Sequence, residues 1–143
     1  MTIKEIQQHI VDEFAVFEEW MDKYEYLIEL GKSLPVIEEC GKCDDNLIKG
    51  CQSRVWLEAE YRDGLLWFRA DSDAIITKGI ISLLIKVFSG RTPQEILDAD
   101  TNFINEIGLQ ENLSPTRANG LVSMINRIRA YASAYVVGDE YRK

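Results

Sequence analysis

Residues 54–70 read Arg54-Val55-Trp56-Leu57-Glu58-Ala59-Glu60-Tyr61-Arg62-Asp63-Gly64-Leu65-Leu66-Trp67-Phe68-Arg69-Ala70. Val55, Leu57 and Ala59 alternate with Arg54, Trp56, Glu58 and Glu60, the period of a half-buried strand. Asp63-Gly64 is a two-residue hairpin signal, because both central positions of that turn need positive φ. Leu65 to Ala70 then forms the return strand. Leu47-Ile48, just before Gly50, reads as a short third strand. Helical patterns flank this hairpin on both sides. The expected class is therefore α+β: a small three-stranded antiparallel sheet with helices packed on one side.

Downstream, Ser72 offers an N-cap, and the spacing predicts a helix from about Asp73 to Ser89. Its apolar residues cover most of the circumference, which marks the buried centre of the fold. Gly90 ends it. Thr92-Pro93-Gln94-Glu95 is a capping box with proline at the first helical position. A short helix over Thr101 to Ile107 stops at Gly108, and Ser114-Pro115 opens the last helix. Upstream, Ile3, Ile6, Ile10, Phe14, Phe17, Met21, Tyr24 and Ile28 recur in steps of three and four, one face of a helix. That pattern is long enough for a break near Glu18-Glu19. Gly31 and Leu34-Pro35 close it. No repeat or linker divides the chain, so residues 1–143 read as one domain.

The net charge of −8 argues against nucleic acid and anionic membrane, because both need a basic face. No apolar run has membrane-spanning length: Gly79 to Phe88 contains Lys86 and is too short. The N-terminus has charges where a signal peptide would be apolar. The expected address is the cytoplasm, where the three cysteines are thiols.

Cys51 lies in Gly50-Cys51-Gln52-Ser53, a loop that turns straight into a strand. Gly50 permits a tight bend and leaves room for another molecule. Lys49 and Arg54 bring positive charge that would favour the nucleophilic thiolate. The residues alone leave two readings open, a reactive thiol or a buried structural cysteine. Cys40-Gly41-Lys42-Cys43 is a C-x-x-C pair. A zinc site needs about four ligands, and beyond this pair the chain offers only Cys51 and His9. A redox pair is expected at a helix N-terminus after a strand, whereas this one follows a helix. Cys43 could also reach Cys51 under oxidation. His9 has no partner at motif spacing and reads as a surface or packing residue. Asp73 and Arg117 both fall in predicted first helical turns. Asp73 suits the helix dipole, so capping explains it. Arg117 opposes the dipole at a cost of up to about 1 kcal/mol, which leaves a specific acidic partner or an ordinary solvated arginine.

Several segments together resemble the SufE family of sulfur acceptor proteins. Trp20, Lys23-Tyr24 and Ile28 through Pro35 are similar to the family's N-terminal helical segment. Gly50 through Trp56 resembles its signature loop and strand. Ala70 through Ala74, with Lys78-Gly79, resembles the start of its central helix. Thr92-Pro93 and Leu113 through Leu121 follow in register. The resemblance runs from about Phe14 to Tyr131. It implies a fold shared with IscU-type scaffolds and a protein that carries sulfur rather than a stand-alone enzyme. Cys51 would take persulfide sulfur from a pyridoxal-phosphate cysteine desulfurase (SufS-like), stimulate it, and pass the sulfur to a cluster scaffold (SufBCD-type). The chain itself would need no cofactor and no metal. In the family the reactive cysteine sits at a loop tip and can be tucked against apolar residues. Gly50, Gln52 and Ser53 would shape that loop, with Asp73 and Arg117 near the partner surface. Cys40 and Cys43 depart from the family pattern. They sustain an alternative reading, a metal- or cluster-binding scaffold using Cys40, Cys43 and Cys51. A third reading is an interaction module that stimulates a desulfurase without carrying sulfur.

Overall fold

A computed structural model describes residues 2–51 and 53–141, with side chains described as far as Val136. The elements run α1 (Ile3–Ala15), α2 (Trp20–Gly31), β1 (Val55–Arg62), β2 (Leu65–Ser72), α3 (Ile75–Phe88), α4 (Pro93–Asp98), α5 (Asn102–Glu106), α6 (Leu109–Asn112) and α7 (Pro115–Tyr141). Two short 3-10 turns, Glu39–Gly41 and Asp44–Asn46, lie between α2 and β1. No helix among the described residues is long and apolar enough to cross a membrane.

The hairpin forms as its sequence predicts. β1 and β2 pair antiparallel from Val55 opposite Ser72 to Arg62 opposite Leu65. Asp63 and Gly64 take φ of 56° and 81° at the turn. Val55, Leu57, Leu66, Phe68 and Ala70 are buried on one face. Tyr131 of α7 reaches that face, donating its hydroxyl to the Leu57 carbonyl at 3.0 Å. On the other face Arg69 bridges Glu58 at 2.7 Å and Glu60 at 3.4 Å. The helices thus cover one side of the sheet, in keeping with an α+β fold.

The sheet has two strands, not three. Leu47 makes a single bridge to Trp56, and the Ile48 N–H donates to the Val55 carbonyl at 2.8 Å. The 3-10 turn on one side and Gly50, at φ 91°, on the other leave no length for a ladder. The opposite edge is met at Ala70. Ala70 receives the Ile37 N–H at 3.1 Å and donates to the Pro35 carbonyl at 3.0 Å.

The N-terminal helical pattern breaks at Val16–Glu19, where the sequence admits a break. Phe14 and Phe17 both meet the Tyr26 ring, with centroids 5.1 and 5.4 Å apart. The Tyr26 hydroxyl donates to Glu13. Burial first, and then this bond, push the Tyr26 pKa up to about 12. These aromatic contacts turn the chain so that α2 can lie on α3. α3 is the buried centre, as its apolar circumference predicts. The helices meet backbone to backbone at Gly31 and Gly79, and Ser82 Oγ donates to the Leu30 carbonyl at 2.8 Å.

The start of α3 departs from the sequence reading. β2 continues through Ser72, and Ala74 is the N-cap, with no side-chain cap bond. Asp73 therefore precedes the first turn. Its Oδ1 accepts the Arg54 N–H at 3.0 Å, and Ser72 Oγ donates to the Arg54 carbonyl at 2.8 Å. Both polar side chains serve the neighbouring backbone, which outcompetes helix capping here.

Asp71, buried at the end of β2, sits between Lys42 at 2.8 Å and Lys78 at 3.4 Å. Burial pushes its carboxyl up. The Lys42 hydrogen bond, the Ser72 N–H and the Lys78 charge outweigh that and hold it below its ordinary value of 3.8. A depressed folded pKa stabilises the fold above the unfolded value, and the contribution disappears as pH falls through the folded one. Asp71→Asn is expected to cost about 1–2 kcal/mol at pH 7. In urea titrations across pH, the gap from wild type should close below pH 3.8. A gap that persists in acid would show that the charge is not responsible.

Candidate functional site

Among the described residues, Lys49 to Cys51 and Ser53 form an arch whose two feet are fastened. The first foot is held by the Ile48 bond to Val55 and by Arg127 of α7. Arg127 donates to the Leu47 carbonyl at 3.5 Å and also to the Asp45 carbonyl. The second foot is Arg54, whose N–H and carbonyl are taken by Asp73 and Ser72. Between these points, the one bond fixing Cys51 among the described residues is a weak one. Its S–H donates to the Gly120 carbonyl at 3.7 Å.

Two glycines make this seat. Gly50 is left-handed, and a Cβ there would lie 2.6 Å from Ser123 Oγ. Gly120, in the first half of α7, lets the sulfur approach the helix backbone. A Cβ at that position would lie 3.4 Å from Cys51 Sγ. Cys51, Ser53, Thr77, Ile80, Thr116, Arg117, Gly120 and Met124 enclose a cavity of about 10 Å3. That is near the lower limit for one water molecule. A sulfur with an approaching thiol has no space there.

Burial pushes the Cys51 thiol up. The expectation that Lys49 and Arg54 favour the thiolate is not met at rest. Both side chains are exposed, and desolvation is the operative cause. An unseated Cys51 would lose that penalty.

The predicted site residues gather in part. Cys51, Ser53 and Arg117 line one cavity, and Gly50 bends the arch above Ser123. Arg117 lies in the first turn of α7 as predicted, and among the described residues it has no acidic partner. Asp73 fastens the arch instead of opening α3. Gln52 lies outside the described residues. Thr77, Ile80, Gly120 and Met124 join the site without having been anticipated from the sequence. A glycine at 120 inside an otherwise helical pattern is a signal, because it costs about 1 kcal/mol relative to alanine.

Cys40 and Cys43 are exposed free thiols away from this cavity. Among the described residues, no three His, Cys, Asp or Glu side chains converge as a metal site. The ligand set of the scaffold reading, Cys40 with Cys43 and Cys51, is therefore not assembled.

Comparison with known proteins bears on the whole arrangement. The SufE family, described as an Fe-S metabolism associated domain, matches residues 8–132. An uncharacterized SufE-like protein of Rhizobium meliloti (strain 1021) is 44% identical over 128 residues, covering 86% of this chain and 91% of the relative. One from Synechocystis sp. is 37% identical over 132 residues, covering 92% and 83%. The solution structure of a hypothetical protein from Thermus thermophilus superposes with a TM-score of 0.76. At 19% identity, covering 92% of this chain and 96% of that one, it shares the fold. With the family matching across the hairpin, the arch and its seat, this chain belongs to the SufE family, associated with Fe–S metabolism.

Proposed function

We propose that Cys51 is a sulfur carrier, charged by a pyridoxal-phosphate cysteine desulfurase and discharged to an iron–sulfur cluster scaffold. The observation that carries this reading is a thiol at the apex of an arch with fixed feet and a weakly held tip. The Cys51 thiolate attacks the outer sulfur of the desulfurase persulfide. The S–S bond there breaks, the desulfurase thiolate leaves, and Cys51 holds the persulfide. The resting cavity has no room for this, so transfer takes place with Cys51 out of its seat. Out of the seat the thiol also recovers its ordinary acidity, so the nucleophile appears where the partner is.

Gly50, Ser53 and Arg117 form the partner-facing rim in this reading, Gln52 is a partner contact on the sequence motif alone, and Asp73 anchors the arch. The chain needs no cofactor of its own, because the difficult bond cleavage belongs to the desulfurase. Its role is that of a carrier and activator, not a stand-alone enzyme.

The test is intact-mass measurement after incubation with a cysteine desulfurase and free cysteine. Wild type should gain one sulfur, and Cys51→Ser should gain none there. Desulfurase turnover should rise with wild type and not with Cys51→Ala. Equal sulfuration of Cys51→Ser would end the proposal. Full stimulation by Cys51→Ala would mean the chain activates without carrying sulfur.

A further inference from the structure

The Cys40–Cys43 pair is not used by the site above, yet its turn is specifically built. The chain bends through 3-10 bonds, from Gly41 N–H to the Glu38 carbonyl at 2.8 Å and from Lys42 N–H to the Glu39 carbonyl at 3.1 Å. Both intervening residues are rooted inward. Gly41 lies so close to its neighbours that a Cβ would meet Ile37 Cγ1 at 2.7 Å and Glu58 Oε2 at 3.0 Å. Its carbonyl accepts Asn46 Nδ2 at 2.8 Å. Lys42 reaches Asp71 at 2.8 Å and lies 5.7 Å from the centroid of the Trp56 ring. With the two middle residues held against the sheet, both flanking cysteines are left exposed. Three residues apart, their Cα atoms cannot separate beyond about 10 Å even on an extended chain. A disulfide needs them within about 7 Å, a span that so short a segment can reach.

We propose that Cys40 and Cys43 are a reducing dithiol that converts a persulfide to sulfide. This rests on the carrier reading for its natural substrate, the persulfide on Cys51. The Cys40 S–H donates to Glu38 at 3.7 Å, whereas the Cys43 thiol has no such partner among the described residues. Cys43 therefore makes the first attack. Its thiolate attacks the inner, carbon-bearing sulfur of the persulfide. That S–S bond breaks, hydrosulfide leaves, and a mixed disulfide forms. The Cys40 thiolate then attacks the Cys43 sulfur and releases the carrier's thiolate. In sum, one persulfide and two thiols give one thiol, one disulfide and one hydrogen sulfide. The dithiol supplies the two electrons, and a low-molecular-weight thiol reductant restores it.

The test has two arms. In the first, the full chain is loaded with sulfur at Cys51, freed of reductant, and followed by sulfide assay and peptide mass. Wild type should release one sulfide per sulfur loaded, while the peptide holding Cys40 and Cys43 loses two hydrogens. Cys40→Ser with Cys43→Ser should release it at least about tenfold more slowly. In the second arm, Cys51→Ser protein meets a low-molecular-weight alkyl persulfide, and the pair should still produce sulfide and its own disulfide. Success there with no loading of Cys51 in the first arm would overturn the carrier reading alone. Sulfide release from the Cys40→Ser, Cys43→Ser double variant as fast as from its parent, in either arm, would overturn the dithiol.

Discussion

Gly79→Ala is expected to destabilise the fold by about 3 kcal/mol or more, the upper end for overpacking a tight interior. A Cβ at Gly79 would lie 2.2 Å from the Leu27 carbonyl oxygen and 2.7 Å from its carbon. These are main-chain atoms of α2, which cannot rotate away as a side chain would. Relief requires α2 to move off α3, and the contacts around Leu27 and the Ser82 bond to Leu30 would loosen with it. A domain of this size has about 5–15 kcal/mol in total, so the loss is severe. Gly64→Ala is the control. A Cβ there meets nothing within 4 Å, and the only penalty is its φ of 81°, about 1–2 kcal/mol. Urea denaturation should show the midpoint of Gly79→Ala falling well below that of Gly64→Ala. Equal midpoints would mean the helices do not meet as described.

The second large effect is kinetic. Gly120→Leu should unseat Cys51, because Cys51 Sγ, Cα and Cβ all lie within 3.4 to 3.8 Å of the position its side chain would enter. The adjoining cavity, at about 10 Å3, cannot absorb the branch. Alkylation of Cys51 by iodoacetamide near neutral pH should accelerate by roughly tenfold or more, through both exposure and a greater thiolate fraction. Because burial is what raises the thiol pKa, the pH midpoint of alkylation should shift down. Gly120→Ala, whose Cβ just fits, should stay near wild type. The helix itself gains propensity from either change, and a urea midpoint near that of wild type would separate loss of the seat from loss of the fold. An unchanged rate in Gly120→Leu would remove the seat from the mechanism.

The hairpin, the central helix and the capping box at Thr92 are legible because each is written within a few consecutive residues. The third strand is misread because an apolar pair before a glycine looks the same whether it makes one bridge or a ladder. Only the flanking 3-10 turn and the φ of Gly50 decide it. Asp73 looks like a helix-starting acid, since its sequence neighbourhood does not disclose that Arg54, 19 residues earlier, offers it a backbone N–H. For Cys51, the loop and glycine are visible, but its seat is not. Gly120 is 69 residues away, and no local pattern links the two. The thiol's environment is accordingly misjudged from sequence, with nearby cations given more weight than burial.

The uneven covering of the two sheet edges has a consequence for how copies of this protein meet. A two-stranded sheet would ordinarily offer an unpaired row of amides and carbonyls on each side, a template for strand addition between chains. Here the outer edge of β2 is met at Leu66 by Gly90 and Arg91 and at Ala70 by Pro35 and Ile37, whereas on β1 Leu47-Ile48 meets only Val55 and Trp56. Strand addition between copies is therefore blocked along β2. Along the rest of β1 the charged Glu58, Glu60 and Arg62 discourage it instead.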